Sequence, residues 1–188
     1  NKINNMLRAL FTILIIFNFF QIHSQEINWL TLDQALELQK KNPKNIIMDV
    51  YTNWCGPCKM LDRNTFQNKD VSEYINKHYY AVKFNAEGDA EINYDGRLFV
   101  NPKYQPEKSQ RRNGTHELTR YLNVSAYPTI IFMDNSSQLI NYVIGYKTPQ
   151  QIELWLKLFK DEGYKSIKTQ DEFNKYYESF VPEFSSTK

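Results

Sequence analysis

Residues 46–59 read Ile46-Ile47-Met48-Asp49-Val50-Tyr51-Thr52-Asn53-Trp54-Cys55-Gly56-Pro57-Cys58-Lys59. The first six form a short, mostly apolar run, which reads as a buried strand at the centre of a sheet. The motif then opens a helix expected over about residues 56–67. Pro57 has no N–H to lose and suits the first helical turn, which places Cys55 at the helix N-terminus. Unsatisfied N–H groups and the positive end of the helix dipole favour a thiolate there over a thiol. That thiolate is the attacking species in disulfide exchange. The two-residue spacing lets one helical turn hold both sulfurs within bonding reach, so dithiol and disulfide interconvert with little backbone movement. Cys58, one turn further in, is expected to be shielded and to act as the resolving thiol.

These two cysteines have no others to pair with, because the chain contains 2 in all. The competing reading of the spacing is half of a zinc site, and zinc normally takes four ligands. The three histidines are His23, in the expected leader sequence, and His78 and His116, which show no paired spacing. The ligand count argues against zinc, and no cofactor is expected.

On the N-terminal side of the strand, Thr31-Leu32-Asp33-Gln34 fits a capping box, and residues 32–41 read as a helix ending before Pro43. On the C-terminal side, Asp70 is expected to cap a short helix through Asn76. Tyr79–Phe84 reads as the next strand. Thr115 can cap a helix through Leu122, and Thr129–Met133 is again a strand. Asn135-Ser136-Ser137 supplies a turn into the strand Leu139–Ile144, making a hairpin. Thr148-Pro149-Gln150-Gln151 starts a helix through about Asp161. This order predicts an α/β fold whose central mixed sheet has one parallel part and an antiparallel edge, flanked by helices. A further capping box, Thr169-Gln170-Asp171-Glu172, precedes Phe173, Tyr176, Tyr177 and Phe180 on one face. It predicts an extra C-terminal helix packed on the domain.

The chain opens with Lys2, Arg8 and an apolar run from Leu10 to Phe20, followed by polar residues. This is the layout of a signal peptide over residues 1–24, with cleavage after Ser24. An uncleaved membrane anchor is the alternative, although the run falls short of the roughly 20 residues that span a bilayer. The formal charge of +2 rests on that segment, since 21 basic and 21 acidic residues remain without it. A balanced charge gives no reason to expect a nucleic-acid partner. Residues 25–162 are then expected to form one domain and residues 163–188 a helical extension.

Over about residues 28–160 the chain resembles the thioredoxins, whose Trp-Cys-Gly-Pro-Cys-Lys motif stands unaltered at Trp54–Lys59. Asp49 lies six residues before Cys55, as the family's buried acid does. Tyr127-Pro128-Thr129 matches the cis-proline loop, and Gly145 ends the hairpin as the family's glycine does. The resemblance implies Cys55, Cys58, Asp49 and Lys83 as catalytic residues. A buried Asp49 would titrate high and take the proton from Cys58, with Lys83 tuning its charge. It also implies Trp54, Gly56, Pro57, Tyr127, Pro128 and Gly145 as the substrate-binding rim, a cis Tyr127–Pro128 bond exposing backbone to an extended client segment. Within the superfamily, Asn64–Val71 is similar to the C-terminal domain of the periplasmic reductase DsbD.

The segment between Lys83 and Pro128 is longer than in a minimal thioredoxin, with an insert at about residues 87–114. Ile92–Val100 contains an Asp-Gly turn between apolar residues and suggests a small hairpin. Lys103, Lys108, Arg111 and Arg112 then make a basic arm, read as a solvated surface loop that could alternatively border the substrate groove and select partners. The resemblance therefore implies a periplasmic or secreted monomer that reduces disulfides of exported proteins. Having no membrane-embedded redox domain of its own, it would take electrons from a membrane-embedded, DsbD-like donor. An oxidase or isomerase on the same scaffold is one alternative, and a client-binding module with incidental cysteines is another.

Overall fold

The computed structural model describes residues 26–186, so the expected signal peptide lies outside the described residues. The chain forms β1 (Trp29–Leu30), α1 (Leu32–Lys41), β2 (Asn45–Tyr51), α2 (Gly56–Leu61), α3 (Lys69–His78) and β3 (Tyr79–Asn85). A two-stranded hairpin follows, β4 (Ile92–Tyr94) and β5 (Arg97–Phe99), and then α4 (Glu117–Tyr121). The domain is completed by β6 (Thr129–Met133), β7 (Leu139–Ile144), α5 (Pro149–Phe159) and α6 (Gln170–Ser179). The main sheet has the order β1-β3-β2-β6-β7. β1 and β2 run parallel to β3, while β6 and β7 are antiparallel, as the order of elements predicts.

Strand β2 is central and buried from Asn45 to Val50, because both faces of the sheet are covered. Side chains alternate between the faces, and the alternation sorts the core into two halves. Ile47 packs with Leu61, Phe66, Ile130, Phe132 and the apolar side of α5. Ile46, Met48 and Val50 pack instead with Leu32, Ala35, Val82, Phe84 and Ile131. Asp49 has the parity of Ile47, so it stands on the face that α2 and its continuation cover.

Three reciprocal capping boxes form as the sequence predicts, at Thr31/Gln34, Thr148/Gln151 and Thr169/Glu172. Two other caps differ. Asn68, not Asp70, caps α3 by accepting the Val71 N–H, and the helix runs on past Asn76 to His78. Asp70 instead accepts the backbone N–H of Ser185 at 2.7 Å. His116, not Thr115, caps α4: its Nδ1 accepts the Leu118 N–H at 3.0 Å and its Nε2 lies 2.7 Å from the Ala90 carbonyl. The helix of the motif is also shorter than expected. After Leu61 it widens into a π-helical turn over Asp62–Phe66, with the Gln67 N–H donating to the Asp62 carbonyl. The wider turn buries Thr65 and Phe66 and leaves Asp62 half-buried.

The insert divides in two: its hairpin packs on the core, whereas the basic arm is exposed at Lys103, Lys108, Arg111 and Arg112, as expected of a solvated surface loop. Its hairpin turns at Asp95-Gly96, both with positive φ (52° and 71°), as an Asp-Gly turn between twisted strands requires. The strands carry Ile92 and Phe99 into the core. Asn101 holds the two ends together, donating from Nδ2 to the carbonyls of Gly88 and Gly114 at 2.8 and 2.7 Å. At the other end of the chain, Phe173 of α6 stacks on Trp155 of α5 at 5.4 Å. Tyr177 departs from the expected apolar face and is 61 % exposed. The tail beyond α6 is strapped down by the buried Glu153, whose carboxylate accepts the N–H groups of Glu183 and Phe184 and pairs with Lys157 at 2.7 Å.

Candidate active site

Beyond Tyr51 the chain bends through Thr52–Trp54 and enters α2 at the motif. Cys55 is the cap residue, with extended backbone (φ −73°, ψ 106°). Its N–H donates to the Thr52 carbonyl at 3.1 Å and its carbonyl accepts the Lys59 N–H at 3.2 Å. Gly56 and Pro57 fill the first helical positions, exposed to solvent. The Cys58 N–H points back at Cys55 Sγ, 3.1 Å away. An amide without a partner in its own helix is thus aimed at the sulfur that would carry negative charge after reduction. The sulfurs are joined at 2.09 Å, and Cys55 and Cys58 are 4 % and 2 % exposed.

Asp49 is 1 % exposed, and Lys83 Nζ lies 2.8 Å from its Oδ2. The register of β2 and β3 sets Asp49 directly opposite Lys83, so the pair is built by strand alignment. Burial pushes the Asp49 carboxyl up to about 6, against the pull of the Lys83 charge. Lys83 is shared, because its ammonium also pairs with the Asp62 carboxylate on the π-helical turn. Burial pulls the Lys83 ammonium down, but the two carboxylates outweigh it and hold it above the usual lysine range. Its Nζ further lies 4.6 Å from the Trp29 ring centroid, 5.1 Å from Tyr51 and 5.4 Å from Phe66. Two carboxylates around one ammonium leave an excess negative charge when all are ionised. Protonating Asp49 leaves a neutral pair, which makes Asp49 the group able to hold a proton near neutral pH.

On the rim, the Tyr127–Pro128 bond is cis. The Pro128 carbonyl accepts the N–H of Gly145, whose φ of +82° favours glycine, at 2.8 Å. Trp54 meets Tyr127 edge to face at 6.2 Å. The insert holds the rest of Trp54. Its indole Nε1–H donates to Glu87 Oε2 at 2.7 Å, and the Arg112 guanidinium lies 4.5 Å from its ring centroid. Glu87 Oε2 also accepts the Asn113 N–H at 2.8 Å, and Asn53 Nδ2 donates to the Ser109 carbonyl at 2.8 Å. Sequence reasoning singled out Asp49, Lys83 and Trp54 but not Asp62, Glu87 or the stacking of Arg112. Asp62 follows Cys58 by one helical turn, the one local sign of its place.

Among the described residues no group of three or more His, Cys, Asp or Glu could hold a metal ion. Among them, too, no helix is long and apolar enough to cross a membrane.

The family model of the thioredoxin-like domain matches residues 32–160. The thiol:disulfide interchange protein DsbD of Pectobacterium atrosepticum is 22% identical over 144 residues, covering 74% of this chain and 21% of that protein. The thiol-disulfide oxidoreductase ResA of Bacillus thuringiensis is 23% identical over 142 residues, covering 73% of this chain and 78% of ResA. The chain thus spans about a fifth of the length of its DsbD relatives. Among solved structures, a thioredoxin-fold protein from Helicobacter pylori superposes with a TM-score of 0.56 at 17% identity, covering 86% of this chain and 92% of that one. A protein from Bacteroides thetaiotaomicron named as a candidate disulphide-isomerase has a TM-score of 0.50 at 26% identity, covering 78% and 99%. The chain belongs to the thioredoxin-like domain family, and the relatives named above are thiol-disulfide interchange proteins and oxidoreductases.

Proposed function

We propose that this thioredoxin-like chain reduces disulfides of exported proteins by cycling Cys55 and Cys58. The reading rests above all on the Cys58 N–H aimed at Cys55 Sγ from the start of α2. In the reduced protein the Cys55 thiolate attacks a client disulfide. One client sulfur leaves as a thiolate and a mixed disulfide forms. Cys58 then gives its proton to Asp49 and attacks Cys55 Sγ. The second client thiolate leaves, and the protein ends as the disulfide seen here. The client gains two electrons and the dithiol loses them, so a donor must reduce the pair before the next turnover.

Asp49 suits the role of base because its carboxyl is held at about 6 and stands on the sheet face that α2 covers. Lys83 positions it. Trp54, Gly56, Pro57, Tyr127 and the cis Pro128 form the surface a client strand would meet, with Gly145 bracing Pro128 from the neighbouring strand. The apolar run near the N-terminus supports export through a signal peptide, with residues 25–162 as the redox domain and 163–188 as its helical extension. An exported protein works in an oxidising compartment, so a membrane-embedded electron donor is part of the proposal.

Cys58→Ser tests the cycle. It should hold clients on Cys55 as mixed disulfides identifiable by mass spectrometry, and Cys55→Ser should abolish capture. Capture that survives Cys55→Ser would make the chain a binding module instead. A second reading, disulfide isomerisation, is favoured by the likeness to the B. thetaiotaomicron protein. Equilibration with glutathione separates the two, since reducing thioredoxins lie near about −270 mV and protein disulfide isomerase near about −180 mV.

A further inference from the structure

We propose that Arg112 is a specificity-determining residue of the insert, which reads an acidic side chain next to the target cysteine of a client. This deepens the reductase reading and rests on it. The first observation is position. Arg112 is far from Cys55 in sequence, yet its guanidinium lies 4.5 Å over the ring of Trp54, the residue before Cys55. The second is that this placement is braced. Glu87 fixes the indole through Nε1 and also takes the Asn113 N–H, so the ring and the backbone next to Arg112 share one carboxylate oxygen. Asn53 ties the other side of the motif to the Ser109 carbonyl.

The third observation is unused bonding capacity. Arg112 is exposed, and among the described residues its side chain makes the ring contact and no hydrogen bond or ion pair. Glu87, the acid bound to the same indole, already accepts two N–H donors. A guanidinium held over an aromatic face keeps N–H donors open to a carboxylate, with part of its side-chain entropy already lost before a bidentate pair forms. The fourth is the local charge. Residues 97–116 hold Arg97, Lys103, Lys108, Arg111 and Arg112 against the single acid Glu107, whereas the preceding stretch 87–96 holds the acids Glu87, Asp89, Glu91 and Asp95. Lys103, Lys108 and Arg111 are exposed as well. A client segment crossing Trp54 toward Cys55 therefore meets the Arg112 donor fork at its edge.

The test uses the full chain, reduced and freed of reductant, and three disulfide-bonded peptides that differ only in carrying Glu, Ser or Lys beside the cysteine. In each reaction the protein dithiol becomes a disulfide and the peptide disulfide becomes two thiols. Each rate is divided by the rate of the same peptide with dithiothreitol, which removes the effect of the flanking charge on thiol chemistry itself. The expected result is a normalised preference for the Glu peptide over the Ser peptide of about three- to tenfold, falling as salt is added. Arg112→Gln should bring the ratio close to one, Arg112→Glu should invert it in favour of the Lys peptide, and Arg112→Lys should keep part of it. Exchange with all three peptides at equal normalised rates, or an unchanged ratio in Arg112→Gln and Arg112→Glu, would overturn the inference and leave the reductase reading intact. No exchange with any peptide would overturn the reductase reading and the inference with it.

Discussion

Asp49→Asn should stabilise the oxidised protein at pH 7 while slowing its chemistry. The Asp49 carboxyl moves from 3.8 to about 6 on folding, chiefly through burial, so the folded protein binds this proton more tightly than the unfolded chain does. Stability is therefore withheld as pH rises from about 4, and the loss levels off above about 6. At 1.36 kcal/mol for each pH unit, the ionised carboxylate costs about 3 kcal/mol at pH 7 and well under 1 kcal/mol at pH 4. Asparagine fills the same space, carries no charge and leaves Lys83 paired with Asp62. Its effect on unfolding free energy should thus be more stabilising at pH 7 than at pH 4 by about 2 kcal/mol. Urea denaturation of both oxidised proteins at the two pH values measures this double difference. The same variant should release a mixed disulfide about a hundredfold more slowly, the usual loss for a removed general base. An effect on stability that is equal at the two pH values would refute the claim that Asp49 is buried with a raised proton affinity.

Asp62→Asn tests whether the Lys83 network tunes Asp49. The Asp62 charge disfavours ionised Asp49, and its removal leaves Lys83 to Asp49 alone, so the acidic limb of the pH profile for mixed-disulfide release should move to lower pH. Stopped-flow Trp fluorescence across pH 4–8 reads the limb, and an unmoved limb would detach Asp62 from the site. Phe99→Ala asks whether the insert belongs to the core. Phe99 is fully buried, and truncating it should cost about 3–5 kcal/mol in urea denaturation. A cost under about 1 kcal/mol would return the insert to the status of an appended surface loop.

The parts of this fold that were legible in the sequence are those built from near neighbours. Each capping box joins residues three apart, and all three formed. The Asp-Gly turn is decided by two adjacent residues. Apolar runs marked β2, β3 and β6, which lie inside the sheet and are largely buried, and the Asn135-Ser136-Ser137 turn marked the edge strand β7. Errors arose where a distant partner chose between equivalent local options. Asp70 is as good a cap by type as Asn68, but the Ser185 N–H, 115 residues away, claims it. Thr115 is a better cap by type than His116. His116 wins because it is buried, and its ring bridges the Leu118 N–H and the Ala90 carbonyl across the base of the insert. β1 is two residues long and exists through its pairing with β3, which no local pattern announces.

The same distinction divides the site. Cys55, Pro57 and Cys58 act through one helical turn, and their geometry follows from six adjacent residues. Asp49 and Lys83 are 34 residues apart in the sequence, yet strand register sets them opposite each other, so naming one strand correctly brings the other into reach. Asp62, Glu87 and Arg112 obey no such rule. Each reaches the site from a wider helical turn or from the insert, and each acts on a residue the motif already supplies: Asp62 on Lys83, Glu87 and Arg112 on Trp54. In the proposed exchange the chemistry is thus set by the motif, whereas the poise of the base and the charge at the rim are set by residues outside it. Phe99 and Ile92 anchor the hairpin in the core, and the exposed arm that carries Arg112 is tied down by the hydrogen bonds of Asn101, Ser109 and Asn113. Deleting the insert would therefore confound loss of selectivity with loss of fold, and single substitutions at its rim are the perturbations that separate them.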